Sequence, residues 1–124
     1  MRSGLFIPLL LLAATCLPTG AALAQSACIE PVMPVPVKGA ATADRMRAAM
    51  AEAHTFIAQS SVYQDCLAKE VEAAKTQAAA SGQPFEPMIE ASARYKIEAS
   101  RKAQERVGAS ANRALSAYKN GSPN

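Results

Sequence analysis

The sequence predicts an all-α protein: an antiparallel two-helix hairpin, with an extended proline-containing N-terminal arm tied to it by one disulfide. Three observations support this fold class. Two long segments without internal proline carry apolar residues at helical spacing, a short segment with glycine and proline separates them, and one cysteine lies on each side of the first helix start. A chain of 124 residues forms one small domain, which excludes a multidomain enzyme.

Residues 1–24 are predicted to be a cleaved signal peptide. Arg2 gives a positively charged start, and an apolar run of ten residues extends from Leu5 to Ala14. The residues that define the expected cleavage site are Ala22, Ala24 and Gln25. A membrane anchor is the alternative, but spanning a bilayer requires about 20 apolar residues. We therefore expect a periplasmic or secreted protein with no stable membrane span after signal removal.

The cysteines of the exported chain predict a disulfide. Cys16 is removed with the signal, which leaves Cys28 and Cys66 in a compartment that favours oxidation. A metal-binding pair is the alternative, but neither cysteine has a Cys-x-x-Cys neighbour and His54 is the only histidine. A bridge that closes a loop of this length stabilises a fold by about 4 kcal/mol. That contribution is large for residues 25–124, which contain 23 alanines but only 14 Ile, Leu, Val or Phe residues.

Residues 25–41 are predicted to form the extended arm. Three prolines exclude a helix there and favour polyproline II, in which the eleven residue steps after Cys28 span about 34 Å. In a helix, the 24 residue steps before Cys66 span about 36 Å. The two lengths agree if the chain bends at Gly39-Ala40-Ala41 and the arm folds back along the helix, with Pro31 and Pro34 as its contacts. The alternative is a flexible leader that the disulfide holds only at its end.

The helical hairpin is predicted over residues 42–119. Its first helix spans about 42–80 and begins near Thr42 or Asp44, because short side-chain oxygens accept hydrogen bonds from the first free amides. The apolar stripe of this helix consists of Met46, Met50, Ala53, Ile57, Leu67, Val71, Ala74 and Ala78, with an interruption at Ser60 and Gln64 and with Phe56 and Tyr63 beside it. One face is therefore expected to be buried.

A turn at residues 81–86 is predicted to separate the helices, with a second helix over about 86–119 and a tail at 120–124. Gly82 suits a left-handed helix end, and Pro87 suits the first turn of a new helix. The apolar stripe of the second helix consists of Met88, Tyr95, Ala99, Ala103, Val107, Ala111, Ala114 and Tyr118. A short turn predicts an antiparallel coiled coil, whose open apolar surface allows a homodimer with four helices.

The sequence does not contain an evident catalytic constellation. It has no Gly-rich phosphate-binding loop and no Ser, His and Asp set with suitable geometry, and a helical hairpin lacks the concave pocket of a typical active site. We therefore expect a non-enzymatic protein with neither catalytic residues nor a cofactor. Nucleic acid is not expected as a partner, because of the compartment and because stacking aromatic residues are not interleaved with the basic ones.

Basic residues near the end of the second helix are the leading candidates for partner binding. They are Arg101, Lys102, Arg106 and Arg113. Such a patch attracts an acidic protein, an anionic lipid or a cell-wall polymer, whereas the simpler interpretation is a solvated helix face. The primary expectation is a structural or protein-binding envelope protein. The first alternative is a small periplasmic chaperone or inhibitor that uses this basic helix on a protein partner.

A soft-metal site is the second alternative. Met46, Met50 and His54 recur at one-turn spacing, and thioether and imidazole ligands suit Cu(I) or Ag(I). Met33 of the arm offers a fourth ligand. The competing interpretation is a core stripe, because methionine commonly fills gaps between helices. The three helical residues also span about 12 Å along the axis, which is too far for one ion without a partner chain.

Three segments of the mature chain together carry a resemblance to a known type of protein. The chain combines a Cys-x-x-Pro start at Cys28 with the helical segment Tyr63-Gln-Asp-Cys66-Leu67, followed by Glu105-Arg106-Val107 in the second helix. This set resembles small exported proteins of Gram-negative, particularly alphaproteobacterial, bacteria without an assigned activity. The resemblance implies the architecture and brings no site residues. A looser similarity, to the basic hairpin arms of Skp-type periplasmic chaperones, implies a chaperone role, although no β-rich trimerisation body is predicted here.

Overall fold

The computed structural model describes residues 27–38 and 41–121. This part of the chain contains two α-helices, α1 (Ala43–Ser81) and α2 (Pro87–Lys119), and no β-strand. The helices pack against each other as an antiparallel hairpin, and one disulfide ties the N-terminal arm to α1. The predicted all-α fold class is therefore confirmed.

The predicted signal peptide lies outside the described residues, together with its cleavage residues Ala22, Ala24 and Gln25. The bend expected at Gly39 also lies outside them. Neither α1 nor α2 contains an apolar segment long enough to cross a membrane.

Local sequence signals determine both ends of α1. Thr42 is the N-cap: its backbone is extended and its hydroxyl accepts a hydrogen bond from the Arg45 amide at 3.3 Å. At the other end Gly82 adopts a φ of 66°, a left-handed conformation that glycine reaches without steric cost. The amides of Gly82 and Gln83 donate to carbonyl oxygens in the last turn of α1, so the helix ends in a Schellman motif.

Five residues, 82–86, connect the helices, and polar contacts close this end of the hairpin. Pro87 occupies the first turn of α2, where an amide hydrogen would have no helical partner. The Lys75 ammonium lies 5.6 Å from the centroid of the Phe85 ring and pairs with Glu90 of α2 at 3.2 Å. The hydrogen bond from Lys75 lowers the pKa of Glu90, so the carboxylate stays charged to lower pH than usual.

Two apolar clusters hold the helices together. The cluster nearer the turn consists of Tyr63, Leu67, Val71 and Ala93, with Cys28, Phe85 and Ile97 packed against it. The cluster nearer the open end consists of Ala53, Phe56 and Val107, with Ile57, Ala103 and Ala111 packed against it. The buried residues of α2 recur every seven positions, at Ala93, Ser100, Val107 and Ala114. This is the repeat of a coiled coil, and the small side chains let the two backbones lie close together.

The predicted apolar stripe of α2 is wrong in its first half. Met88 and Tyr95 are 68% and 77% exposed, whereas Ala93 and Ser100 are buried against α1. Close packing of two helices selects small residues for the contact face, so the larger apolar side chains are displaced outward. The α1 stripe contains the expected polar interruption, since Ser60 is buried and Gln64 is half-buried, and Phe56 and Tyr63 beside it are buried as well.

A polar layer separates the two apolar clusters. Gln104 donates from Nε2 to the Ile57 carbonyl oxygen at 2.9 Å and to the Ser61 hydroxyl at 3.2 Å. Gln64 donates to the Ser100 hydroxyl and to the Oε1 atom of Gln104, both at 3.0 Å. These bonds join the two helices and require one alignment of α2 along α1. The layer therefore specifies the register of the hairpin.

Ser60 lies in the polar layer without contributing to it. The residue is fully buried, and its Oγ has no hydrogen-bond partner among the described residues. Because an unpaired buried hydroxyl is costly, we expect Ser60→Ala to raise the free energy of unfolding by about 1 kcal/mol in a urea titration. Ser61→Ala is the control, since it removes an exposed hydroxyl that does have partners, and it should not stabilise the protein. A lower stability of Ser60→Ala would contradict this assignment.

Candidate functional site

An apolar groove lies between the arm and the end of the hairpin opposite the turn. Its walls are arm residues 33–37, the beginning of α1 and the last turns of α2, and its volume is about 390 Å³. Small-molecule sites typically have about 300–1,000 Å³. The side chains that matter most for its chemistry are Met33, Met46, Met50, Arg106, Ser110 and Arg113. The groove is therefore a concave site on a fold that was expected to lack one.

The arm forms one wall of the groove because it is held against the hairpin at regular intervals. Cys28, Pro31, Pro34 and Val37 are half-buried and lie three residues apart, which is the repeat of a polyproline II helix. Pro31 and Pro34 thus lie on the face of the arm that meets the hairpin. Val32, on another face, is 90% exposed. A leader held only at its end would not show this repeating burial.

The disulfide anchors the arm at the end away from the groove. Cys28 and Cys66 are bonded with a Cα–Cα distance of 5.7 Å, which confirms the predicted pair. Cys28 also packs against the apolar cluster nearer the turn. The arm runs from this anchor toward the beginning of α1, so the bridge determines where residues 33–37 lie.

Two arginines border the groove on α2. Arg106 and Arg113 are two helical turns apart, about 10 Å along the axis, and the half-buried Ser110 lies between them. Both arginines are exposed, and neither forms an ion pair with a described residue. A guanidinium group is protonated at every physiological pH. The groove therefore carries two positive charges that no carboxylate of the described residues compensates by an ion pair.

The other two predicted partner-binding cations are placed differently. The ammonium of Lys102 pairs with Glu98 at 2.9 Å, and this hydrogen bond raises the pKa of Lys102 and lowers the pKa of Glu98. Arg101 lies about 140° around the helix from Arg106, outside the groove. The structure thus brings only Arg106 and Arg113 to the groove as unpaired cations.

The residues of the soft-metal hypothesis are only partly assembled. Met46 and Met50 line the groove, and Met33 lies across from them on the arm. Met46 is only 4% exposed, as expected of a core residue. His54 is exposed and is not part of the groove wall. Three thioethers therefore share one site without the predicted imidazole.

A second set of metal-ligand atoms lies at the disulfide. The Cys28 and Cys66 sulfurs and a carboxylate oxygen of Glu70 are within 4.8 Å of one another. The sulfurs are bonded to each other, and Glu70 accepts a hydrogen bond from the Ala27 amide at 3.0 Å. In the oxidised protein, this cluster is therefore the anchor of the arm and not a thiolate metal site.

The role of the arm as a wall of the site was missed in the sequence analysis. The three-residue repeat that runs through Pro31 and Pro34 extends to Val37, and Met33 falls beside this face. The helical positions of the basic residues also separate Arg101 from Arg106 and Arg113. Both signals were available, but only the structure shows that the arm meets the arginine-bearing face of α2.

Comparisons with known proteins do not assign a function to the groove. No protein-family model matches the sequence, and no curated protein or solved structure matches it. The function is therefore inferred from the shape of the groove and the charges beside it.

Proposed function

We propose that the chain is a non-enzymatic binding protein of the cell envelope, periplasmic or secreted, that binds an anionic partner in the groove between arm and hairpin. The observation that carries this proposal is the pair of unpaired guanidinium groups, Arg106 and Arg113, at the edge of an apolar groove. Unpaired cations attract anions, and apolar walls gain free energy when a partner covers them. A partner that is both anionic and partly apolar can contact the arginines and also cover the apolar walls.

The groups that line the groove support binding over catalysis. Methionine and aliphatic side chains do not exchange protons, and arginine stays protonated. Ser110 carries the only hydroxyl among the described lining residues, and none of them is a His, Asp, Glu or Lys that could activate it as a nucleophile. These side chains hold and orient a ligand without reacting with it.

The disulfide supports placement of the protein outside the cytoplasm. Bridges persist in oxidising compartments and are rare where thioredoxin and glutathione keep thiols reduced. The predicted signal at residues 1–24 would deliver the chain to such a compartment. The bridge and the signal are independent features of the sequence, and both favour export.

The two alternative functions require different side chains. A chaperone or inhibitor that uses the whole basic helix for a protein partner requires Arg101 as well as the groove arginines. A soft-metal carrier requires thioethers, so Met50→Leu would weaken Ag(I) binding while changes at Arg106 would not. The groove proposal requires Arg106 and Arg113 and is indifferent to Arg101.

Charge reversal beside the groove tests the proposed function. The probe is anilinonaphthalene sulfonate, an anionic apolar dye whose fluorescence rises on binding, titrated into the oxidised protein purified after export. We expect saturable binding, and we expect the double variant Arg106→Glu, Arg113→Glu to weaken it by at least about tenfold through loss of charge-assisted contacts.

Arg101→Glu is the matched control. It makes the same charge change on the same helix as Arg106→Glu alone or Arg113→Glu alone, and it is compared with these single variants. Arg101 also lacks an ion pair in the described part of the chain but lies outside the groove. We expect its dye affinity to equal that of the unmodified protein. Equal losses for the control and the groove variant would mean that net charge, and not the groove, governs binding.

A further inference from the structure

We infer that the ligand of the groove is a monomeric fatty acid, with its carboxylate between Arg106 and Arg113 and its acyl chain along the thioether-lined wall. This inference rests on the proposed binding function and specifies its ligand class. It follows from the size of the groove, the polar groups that line it, the side chains of its walls and the position of its charges.

The size of the groove fits a small molecule better than a protein surface. Its volume of about 390 Å³ lies near the lower end of the range for small-molecule sites. Stable protein–protein interfaces instead bury about 1,200–2,000 Å² across both partners, much of it on nearly flat surfaces. A single flexible acyl chain can fill a narrow groove of this volume without contacting the rest of the hairpin.

The polar groups of the groove fit an acyl chain better than a peptide. A buried peptide segment brings an amide and a carbonyl group for each residue, and each requires a hydrogen-bond partner. The lining side chains provide one hydroxyl and two guanidinium groups. Of the five arm residues in the wall, two are prolines without an amide hydrogen, so only Met33, Val35 and Val37 could donate one. An acyl chain has no polar group along its length, so all its polar requirements lie at one end.

The walls of the groove suit a flexible apolar chain. Met33 on the arm and Met46 and Met50 on α1 surround it with thioether side chains. Methionine is unbranched and polarisable and adapts its shape to irregular ligands. Val107 and several alanines complete the wall that α1 and α2 form. Because alanine side chains are small, they leave room for an acyl chain.

The charges of the groove suit a carboxylate head. Guanidinium groups bind carboxylates through two parallel hydrogen bonds, and both arginines are free of ion pairs with described residues. Ser110 lies in the turn between them and can donate a third hydrogen bond. Lys102, the next cation on this face, already pairs with Glu98. The anionic head is therefore expected over Ser110.

Calorimetric titration with laurate, kept below the concentration at which it forms micelles, tests this inference on the oxidised protein purified after export. We expect saturable binding of one laurate per chain, with helicity unchanged by circular dichroism. The double variant Arg106→Glu, Arg113→Glu should lose at least about tenfold in affinity, whereas Arg101→Glu should lose none. Lauryl alcohol, which has the same chain without the charge, should bind at least about tenfold more weakly.

A pair of arm variants tests the position of the acyl chain. Met33→Gln places a polar group in the groove wall and should weaken laurate binding severalfold. Val32→Gln is the control, because the Val32 side chain, next to Met33 in the sequence, is almost fully exposed. The affinity of this variant for laurate should be unchanged. Equal effects of the two variants would overturn the assignment of the chain to the groove.

The two probes distinguish failure of this inference from failure of the proposed function. Dye binding that depends on Arg106 and Arg113, without laurate binding, overturns the fatty acid and leaves an anionic partner of another class. Binding of anionic phosphatidylglycerol vesicles without binding of monomeric laurate also overturns it, in favour of a membrane surface. If the unmodified protein binds neither the dye nor laurate, the inference and the proposed function are both overturned.

Discussion

Replacing both bridged cysteines, as Cys28→Ser with Cys66→Ser, is expected to lower the free energy of unfolding by about 4 kcal/mol. The bridge joins residues 38 positions apart, so without it the denatured chain gains the entropy of a long open loop. For a domain of this size, the loss corresponds to a fall of about 20 °C in the melting temperature. Thermal unfolding followed by circular dichroism measures it.

Chemical reduction of the unmodified protein is the control for this experiment, because it opens the bridge without changing the sequence, and it should lower the melting temperature similarly. The cysteine double variant should also lose dye binding, because the bridge is the covalent anchor of the arm that forms one wall of the groove. Most α1–α2 contacts form without the bridge, although Cys28 packs against the cluster nearer the turn, so helical content should persist at low temperature. An unchanged melting temperature and unchanged dye affinity would show that the bridge neither stabilises the fold nor shapes the groove.

Leu67→Ala is expected to destabilise the protein by about 3 kcal/mol, because a truncated core leucine loses its apolar contacts and leaves a cavity. Leu67 is 2% exposed and packs with Tyr63, Val71 and Ala93 between the helices. Urea unfolding measures the change: the midpoint urea concentration should fall, while the dependence of the free energy of unfolding on urea concentration stays similar. With few large apolar residues in the core, the loss is expected to leave a marginally folded chain.

Val62→Ala is the matched control, since Val62 lies on the same helix but is 70% exposed. Its truncation should change the free energy of unfolding by less than about 0.5 kcal/mol. Similar losses of stability for the two variants would mean that the Leu67 face of α1 is not the face that packs against α2.

The ends of the helices could be predicted from the sequence because each depends on a local signal. Thr42 offers a hydroxyl to a free amide, Gly82 reaches the left-handed conformation, and Pro87 fits the first helical turn. The pairing of Cys28 with Cys66 was also predictable, since the arm and the helix have matching lengths. These features depend on backbone geometry, which the sequence determines over short distances.

The packing face of α2 and the groove could not be predicted in the same way. Which face of α2 meets α1 depends on how closely the helices approach, and close approach favours Ala93 and Ser100 over the larger Met88 and Tyr95. The groove requires three segments far apart in sequence to meet. Arg106 was a candidate for its charge alone, and its position beside the arm is a tertiary feature.

The groove contains natural reporters for a direct test of its role. Residues 25–124 contain four methionines, Met33, Met46, Met50 and Met88. The first three line the groove, while Met88 lies near the turn at the other end of the hairpin and is exposed. Their methyl groups give separate signals in a proton–carbon NMR spectrum of methyl-labelled protein.

The measurement that tests the central claim most directly is a titration of this labelled, oxidised protein with laurate. We expect the methyl signals of Met33, Met46 and Met50 to shift together and to saturate, while the Met88 signal stays in place. The same titration of the Arg106→Glu, Arg113→Glu variant should move none of them at these concentrations. Shifts confined to Met88, or equal shifts at all four methyl groups, would contradict binding in the groove.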